Sequence, residues 1–290
     1  MKLLFEKLST YCADIVVLVF ALCFRVATLN SYSKLIKRKA NITPLAILGN
    51  GPSLKKDLDN IMKKKSKMDF YVVNYFANTN YFKEIRPSYY FLIDPVFWRT
   101  DINEDIKADN KKLIGNLLAA DWHINLICRE SGYEIVKNLF KINSNIVVTT
   151  IKSYWYDIRS KKGNIFAMRF RLSSPNFVNV LIAAIWHALI SGRKNINIYG
   201  ADFSSFKELK VDQDTNLVYT SSSHFYKESH DLISVKEKYI GVGPKMINIR
   251  FYQIWLGFRQ MYFLAKVAEA WGSSIKNKSS FSYLDCFERK

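Results

Sequence analysis

Glycine and proline are scarce in this chain, at 11 and 6 of 290 residues, which excludes a collagenous chain and a Pro/Gly-rich disordered one. Cysteine is sparse too: Cys12, Cys23, Cys128 and Cys286. No two have CxxC or metal-ligand spacing, so reduced thiols in a cytoplasmic protein are expected rather than a disulfide framework. Acidic residues number 25 against 43 Lys and Arg, leaving a formal charge of +18. That excess suits anionic partners such as lipid headgroups or phosphorylated substrates, and equally a Lys-rich solvated surface. The cations are spread along the chain, so charge alone selects no partner. No helix-turn-helix, RNP or zinc-finger pattern is present, and nucleic acid is not expected as a partner. HExxH, a nucleophile elbow and Cys/His clusters are missing as well. The Asp212–Gln213–Asp214 stretch imitates a metal-binding DxD, but it lies in a polar segment rather than at the end of an apolar strand. It reads as a turn, and no metal is expected. There is no internal repeat or low-complexity tract.

What the chain does have is apolar mass: 49% hydrophobic residues, enough for one large domain. Residues 1–40 stand apart. Ala13 to Phe24 is apolar except for Asp14, with Lys2 and Lys7 before it and Arg25, Lys34, Lys37, Arg38 and Lys39 after it. At about a dozen residues it is short of the ~20 a spanning helix needs. A helix lying in the membrane interface is expected, pinned to anionic lipid by its cationic flanks, which implies a peripheral protein at the inner face of a bacterial inner membrane. The competing reading is a core or oligomerisation helix.

From about residue 41 the pattern alternates. Apolar runs at Leu45–Asn50, Phe70–Asn74, Ser88–Asp94, Asn125–Glu130, Asn145–Thr150 and Ile196–Asp202 read as strands. Helices are expected at Leu54–Lys65, Asn176–Ser191 and Arg250–Gly272, the last with Gly272 as its cap. Such alternation predicts an α/β fold, a Rossmann-like and mostly parallel sheet flanked by helices. Residues 204–245 are polar and irregular and read as an inserted lid. Trp255 and Phe258 are either core or interface, which leaves a homo-oligomer open.

Several apolar strands close on a polar residue. Gly49-Asn50-Gly51-Pro52-Ser53 follows the first, Asn74 ends the second, Asp94 the third, and Gly200-Ala201-Asp202 follows the sixth. Singly, each suits a turn or cap. Together they converge on one rim, because ligands of open α/β sheets bind outside the strand C-termini. Glycines let a backbone approach closely, and a helix starting at Ser53 can meet an anion. The turn is neither GxGxxG nor a P-loop. In the lid, Ser223-His224-Phe225-Tyr226 supplies a histidine suited to taking a hydroxyl proton, with His230 as a rival.

With these residues in view, the chain resembles bacterial sialyltransferases of glycosyltransferase family 42. It resembles more closely the related polysaccharide-cluster sugar transferases of the 6-hydroxymethylpterin-diphosphokinase-like group. The matching pieces are LAILGNGPSL, FYVVNYF, YYFLIDPVFW, NVLIAAIWHALISGRKNINIYGADFS and SHFY, in family order, with a weaker match in SSIKNKSSFSYLDCFER. The resemblance implies a metal-independent, inverting glycosyltransferase without a cofactor. Its donor would be a CMP-linked acidic sugar such as a nonulosonic acid or Kdo, and its acceptor a glycan or glycolipid hydroxyl of lipopolysaccharide or capsule. Carried over by motif, His224 would be the base. Asn50, Gly51, Pro52, Ser53, Asn74, Asp94, Ser173, Ser174, Gly200 and Asp202 would line the donor, and Tyr219 or Tyr226 would meet the leaving phosphate. The pattern departs from the sialyltransferases in two places. Phe203-Ser204-Ser205-Phe206 stands where they carry phosphate-binding tyrosines, and Asp94 stands where they often have Asn. The alternatives are a Mg-dependent diphosphokinase-like enzyme using Asp94 and Asp202, and a non-catalytic basic membrane-associated binding protein.

Overall fold

A computed structural model describes residues 2–32, 40–156, 158–220, 225, 233–234 and 247–289. The six expected strands are present: β1 (Leu45–Leu48), β2 (Asp69–Val73), β3 (Tyr89–Leu92), β4 (Ile124–Cys128), β5 (Ile146–Thr150) and β6 (Asn195–Tyr199). Three short strands follow, β7 (Leu209–Val211), β8 (Val218–Thr220) and β9 (Ile233–Ser234), then β10 (Ser274–Asn277). One seven-stranded sheet runs β10-β6-β1-β2-β3-β4-β5, with every neighbouring pair parallel. β1 therefore lies inside the sheet. The chain builds outward from it on one side through β5, then crosses back to add β6 and β10 on the other.

The sheet is covered on both faces, which is why its strands read as continuous apolar runs. Leu45 and Ile47 join one core with Tyr71, Val73 and Phe91, while Ala46 and Leu48 join the other with Val72, Tyr90 and Leu126. The second core is closed by α2 (Leu54–Met62), α3 (Tyr81–Ile85), α4 (Glu104–Leu118) and α5 (Tyr133–Phe140). The first is closed by α7 (Val180–Ile190) and α8 (Ile247–Ala270), with α6 (Lys161–Arg169) packed on α8. α7 is apolar all round because it lies between the sheet and α8. Its start is set by Asn179, whose Oδ1 accepts from Leu181 N at 2.8 Å. α8 ends before Gly272, which takes φ +61° in the left-handed region that glycine adopts freely.

Three expectations change. The helix after β1 stops at Met62 and is followed by a tight turn at Lys65–Lys67. The stretch expected to be irregular carries the antiparallel sheet β7-β8-β9 among its described residues. β10 was not foreseen, because Ser-Ile-Lys-Asn is short and half polar.

The N-terminal element, α1 (Lys2–Tyr32), is 31 residues long and extends beyond the apolar run in both directions. Its one side packs on α6. Asp14, the single charged residue of the run, is buried there and accepts from Arg159 N at 2.9 Å and Ser160 N at 3.0 Å. A carboxylate at that place satisfies donors at the start of α6 and faces the positive end of the helix. No described helix is long and apolar enough to cross a membrane.

The other buried titratable group of note is His187. Its ring lies 4.9 Å from Tyr89, 5.5 Å from Phe91 and 5.6 Å from Tyr71. Burial, with a smaller push from the Arg193 charge, lowers its pKa to about 4. A histidine depressed in the fold contributes stability that is present above its ordinary value of 6.5 and lost as pH falls through 4. Urea unfolding of the native chain should therefore show a loss of about 3 kcal/mol from this group across that interval. His187→Phe should remove that limb. An unchanged acid limb in the variant would show that the ring titrates freely.

Candidate functional site

Strand order reverses between β1 and β6, the place at which open α/β sheets bind their ligands. Their two C-terminal turns interlock. Gly49 N donates to Tyr199 O at 2.8 Å and Gly51 N to Gly200 O at 2.9 Å. A Cβ on Gly51 would lie 2.1 Å from Asp202 Oδ1, and one on Gly49 would lie 2.5 Å from Gly200 O. Only glycine permits that approach. Asp202 closes the junction: Ser53 N donates to Oδ2 at 2.9 Å and Ser53 Oγ to Oδ1 at 2.5 Å. The anion that meets the start of α2 is thus the protein's own carboxylate, and the hydroxyl of Ser53 is committed to it.

The chain's last residues lock the same turn. Ser282 Oγ donates to Ala201 O at 2.6 Å, Ser279 Oγ accepts from Ala201 N at 3.0 Å, and Tyr283 N donates to Asp202 O at 2.9 Å. On α2, Asp57 accepts from Ser280 N at 3.0 Å. Burial raises the pKa of both Asp202 and Asp57, while hydrogen bonds from Ser53 and Ser280 oppose the rise.

Three asparagines at strand ends present buried amide atoms with no partner among the described residues. They are Asn50 Oδ1 after β1, Asn74 Oδ1 after β2 and Asn277 Nδ2 at the end of β10. An enclosed polar atom without a partner costs about 1–3 kcal/mol, so such atoms mark places where a ligand can supply the missing bond. Asn74 is moreover held at φ 51°. Tyr90 fixes it there, its hydroxyl donating to Asn74 O at 2.5 Å and accepting from Ala77 N at 2.8 Å. A non-glycine residue in that conformation stores strain of the kind that clusters at ligand sites. Phe225 N donates to Asn50 O at 3.2 Å, and its ring meets Phe76 at 5.7 Å between centroids.

The structure thus joins Asn50, Gly51, Ser53, Gly200 and Asp202 directly, with Pro52 exposed in the same turn and Asn74 one strand away. Asp94 lies one strand further. It is exposed, and its Oδ1 accepts from Val96 N at 3.1 Å to cap a short turn. Ser173 and Ser174 are buried, and both hydroxyls are engaged by Tyr154, at 3.0 Å to its O and 2.7 Å from its N. Tyr219 sits in β8, paired with Lys210 and Ser234 in the small antiparallel sheet. His224, His230 and Tyr226 lie outside the described residues.

Two residues enter that sequence reasoning missed. Asn277 belongs to the unforeseen β10. Arg129 follows β4, its Nε donating to Ile93 O at 2.8 Å and its Nη2 to Phe177 O at 2.6 Å. Burial lowers its pKa, and the charge of Asp94 pushes the other way. A basic residue ending an apolar strand in NLICRE was the available signal.

No family model matches the chain, and no curated protein matches it. Among solved structures, it is similar to that of MAf glycosyltransferase from Magnetospirillum magneticum AMB-1, with 14% identity and a TM-score of 0.47. The match covers 88% of this chain and 34% of that one, so the chain spans about a third of its neighbour's length.

Asp202→Ala removes both acceptors of Ser53 and should destabilise the chain by about 1–3 kcal/mol. Asp202→Asn keeps one acceptor and should lose less. The raised carboxyls also set a sign. Their contribution to stability is complete below the ordinary value of 3.8 and is lost as pH rises through the elevated folded value. Melting temperatures of an Asp57→Asn, Asp202→Asn chain across the acid range should therefore lack a component that falls with rising pH. A parallel offset at every pH would mean that neither carboxyl is raised.

Proposed function

We propose that this chain is a glycosyltransferase that binds a nucleotide-activated sugar across the C-terminal ends of β1, β2, β6 and β10. The observation that carries the reading is the set of unpartnered amide atoms on Asn50, Asn74 and Asn277 at the point where strand order reverses. A nucleotide offers the matching groups: hydroxyl and amino donors for the two oxygens, and an acceptor for the Asn277 nitrogen. The Asp202–Ser53 junction acts through position, holding the turn that carries Asn50. Arg129 adds a fixed positive charge on the same rim, suited to a phosphate or carboxylate.

The ordered motifs point to a CMP-linked acidic sugar as donor and a glycan hydroxyl as acceptor. The reaction is a single in-line displacement. The acceptor oxygen bonds the anomeric carbon, the bond from that carbon to the donor phosphate breaks, and the electron pair leaves on the nucleotide phosphate. His224 takes the acceptor proton. It precedes Phe225 in the sequence, and Phe225 is the lid residue bonded to Asn50, which supports a base adjoining the donor site. Charge on the departing phosphate is met by fixed donors rather than by a metal.

Thermal shift with CMP, CDP, UDP, GDP and ATP, each with EDTA and with Mg²⁺, tests the reading. Stabilisation by a cytidine nucleotide in EDTA is expected. Asn50→Ala and Asn74→Ala should each weaken it about 3–10-fold, the worth of one hydrogen bond. His224→Ala should leave binding intact and slow transfer by about 10²–10⁴-fold. Stabilisation by ATP only with Mg²⁺ would replace the reading with diphosphokinase chemistry, and silence towards every nucleotide would end it.

A further inference from the structure

α1 has two apolar sides, and the domain uses one. Asp14 and Ala21 are buried, and Ala13, Val17 and Leu18 are half-buried along the same side. On the opposite side Tyr11, Ile15, Val16, Val19 and Leu22 are exposed, Val16 by 69%, and Phe20 stands at the border, 61% exposed with one ring edge on Tyr156. At 100° per residue these positions, with the exposed Cys12 and Cys23, cover roughly half of the helix circumference. No charged residue falls between Asp14 and Arg25. A helix with one side in water carries its charges there. Between Asp14 and Arg25 this one carries none, which is the pattern of a side that meets a partner.

We propose that the outer side of α1 docks on an anionic lipid surface, lying in its plane, and that Asp14 fixes the orientation by clamping the helix to the start of α6. Charge complementarity selects the occupant. Lys2 and Lys7 precede the apolar stretch and Arg25 follows it, in a chain of net charge +18. α6, against which α1 packs, adds exposed Phe166 and Phe170 between exposed Lys161, Lys162 and Arg169. Apolar side chains among cations match the boundary between acyl chains and acidic headgroups. A second copy would bring the same cations to the same face and be repelled. The helix lies on the bilayer because none of the described helices is fit to cross one. This inference stands apart from the transferase reading, since it uses none of the rim residues.

The test uses the full chain with vesicles of phosphatidylcholine, alone and with phosphatidylglycerol, without nucleotide. Cosedimentation is expected with the acidic vesicles and should weaken as salt rises. Val16→Asp with Val19→Asp, both outward and away from the Asp14 clamp, should lower partitioning about tenfold or more at an unchanged melting temperature. Cys12 and Cys23 give an independent reading. Burial pushes the thiols of Cys128 and Cys286 up to about 12, so a polarity-sensitive maleimide will label the two on α1. Its emission should shift blue on acidic vesicles. Equal partitioning of the double variant, or no emission shift, would overturn the proposal. So would a native dimer that the same variant converts to monomer, because the occupant would then be a second copy.

Discussion

Everything at the rim depends on two turns passing closer than side chains allow. Gly49 and Gly51 let the loop after β1 lie against Gly200, and Asp202 then fills the space a Cβ on Gly51 would need. That contact joins turns 149 residues apart in the sequence and fixes where α2 begins. Because Ser53 is bound through both its N–H and its hydroxyl, the turn has little freedom. Asn50 is consequently held with its amide oxygen enclosed and without a partner among the described residues. A loose turn would let that oxygen find water.

The same junction concentrates negative charge in a strongly basic protein. Asp57 and Asp202 are both buried near it, and burial disfavours their charged forms. Hydrogen bonds from Ser53 and Ser280 offset part of that cost. The last residues of the chain supply much of the support: Ser279, Ser280, Ser282 and Tyr283 each bond the turns from outside. The rim is therefore assembled from the turns after β1 and β6 together with residues 279–283. Arg129 is tied to the carbonyls of Ile93 and Phe177, and the charge it senses is that of Asp94.

Legibility from sequence followed burial. The most readable strands, β1 to β4, are those whose residues face a core on both sides, so their apolar runs are nearly unbroken, whereas β5 and β6 are partly exposed. β10 was missed because Lys276 and Asn277 interrupt it. It belongs to the sheet through its register with β6 and the bonds of the tail, neither of which a local window contains. β7 to β9 were read as irregular because short antiparallel strands with exposed faces carry little periodicity. At the rim, Asn50, Asn74 and Asp202 were visible as polar residues closing apolar strands. Their division of labour was not. That Ser53 binds Asp202 rather than facing a ligand, and that Asp94 caps its own turn, are facts of geometry between distant segments. α1 shows the converse: Asp14 looked like a flaw in an apolar run and is its attachment point.

The two ends of the sheet have separate duties. Towards the strand N-termini, Asp69 pairs with Arg193, and the ring of Arg193's neighbour Tyr71 packs on His187. Asp69 and Arg193 are spent on one another, and the packed rings of Tyr71 and His187 tie α7 to the sheet. At the C-terminal ends Asn50, Asn74 and Asn277 keep amide atoms unspent, and Asn74 keeps a strained backbone. A fold selected only for stability would relieve both, by a partner for each amide and by glycine at position 74. The three amides share the end of the strands at which ligands of parallel sheets bind, and that shared position, rather than the cost alone, is what marks a site.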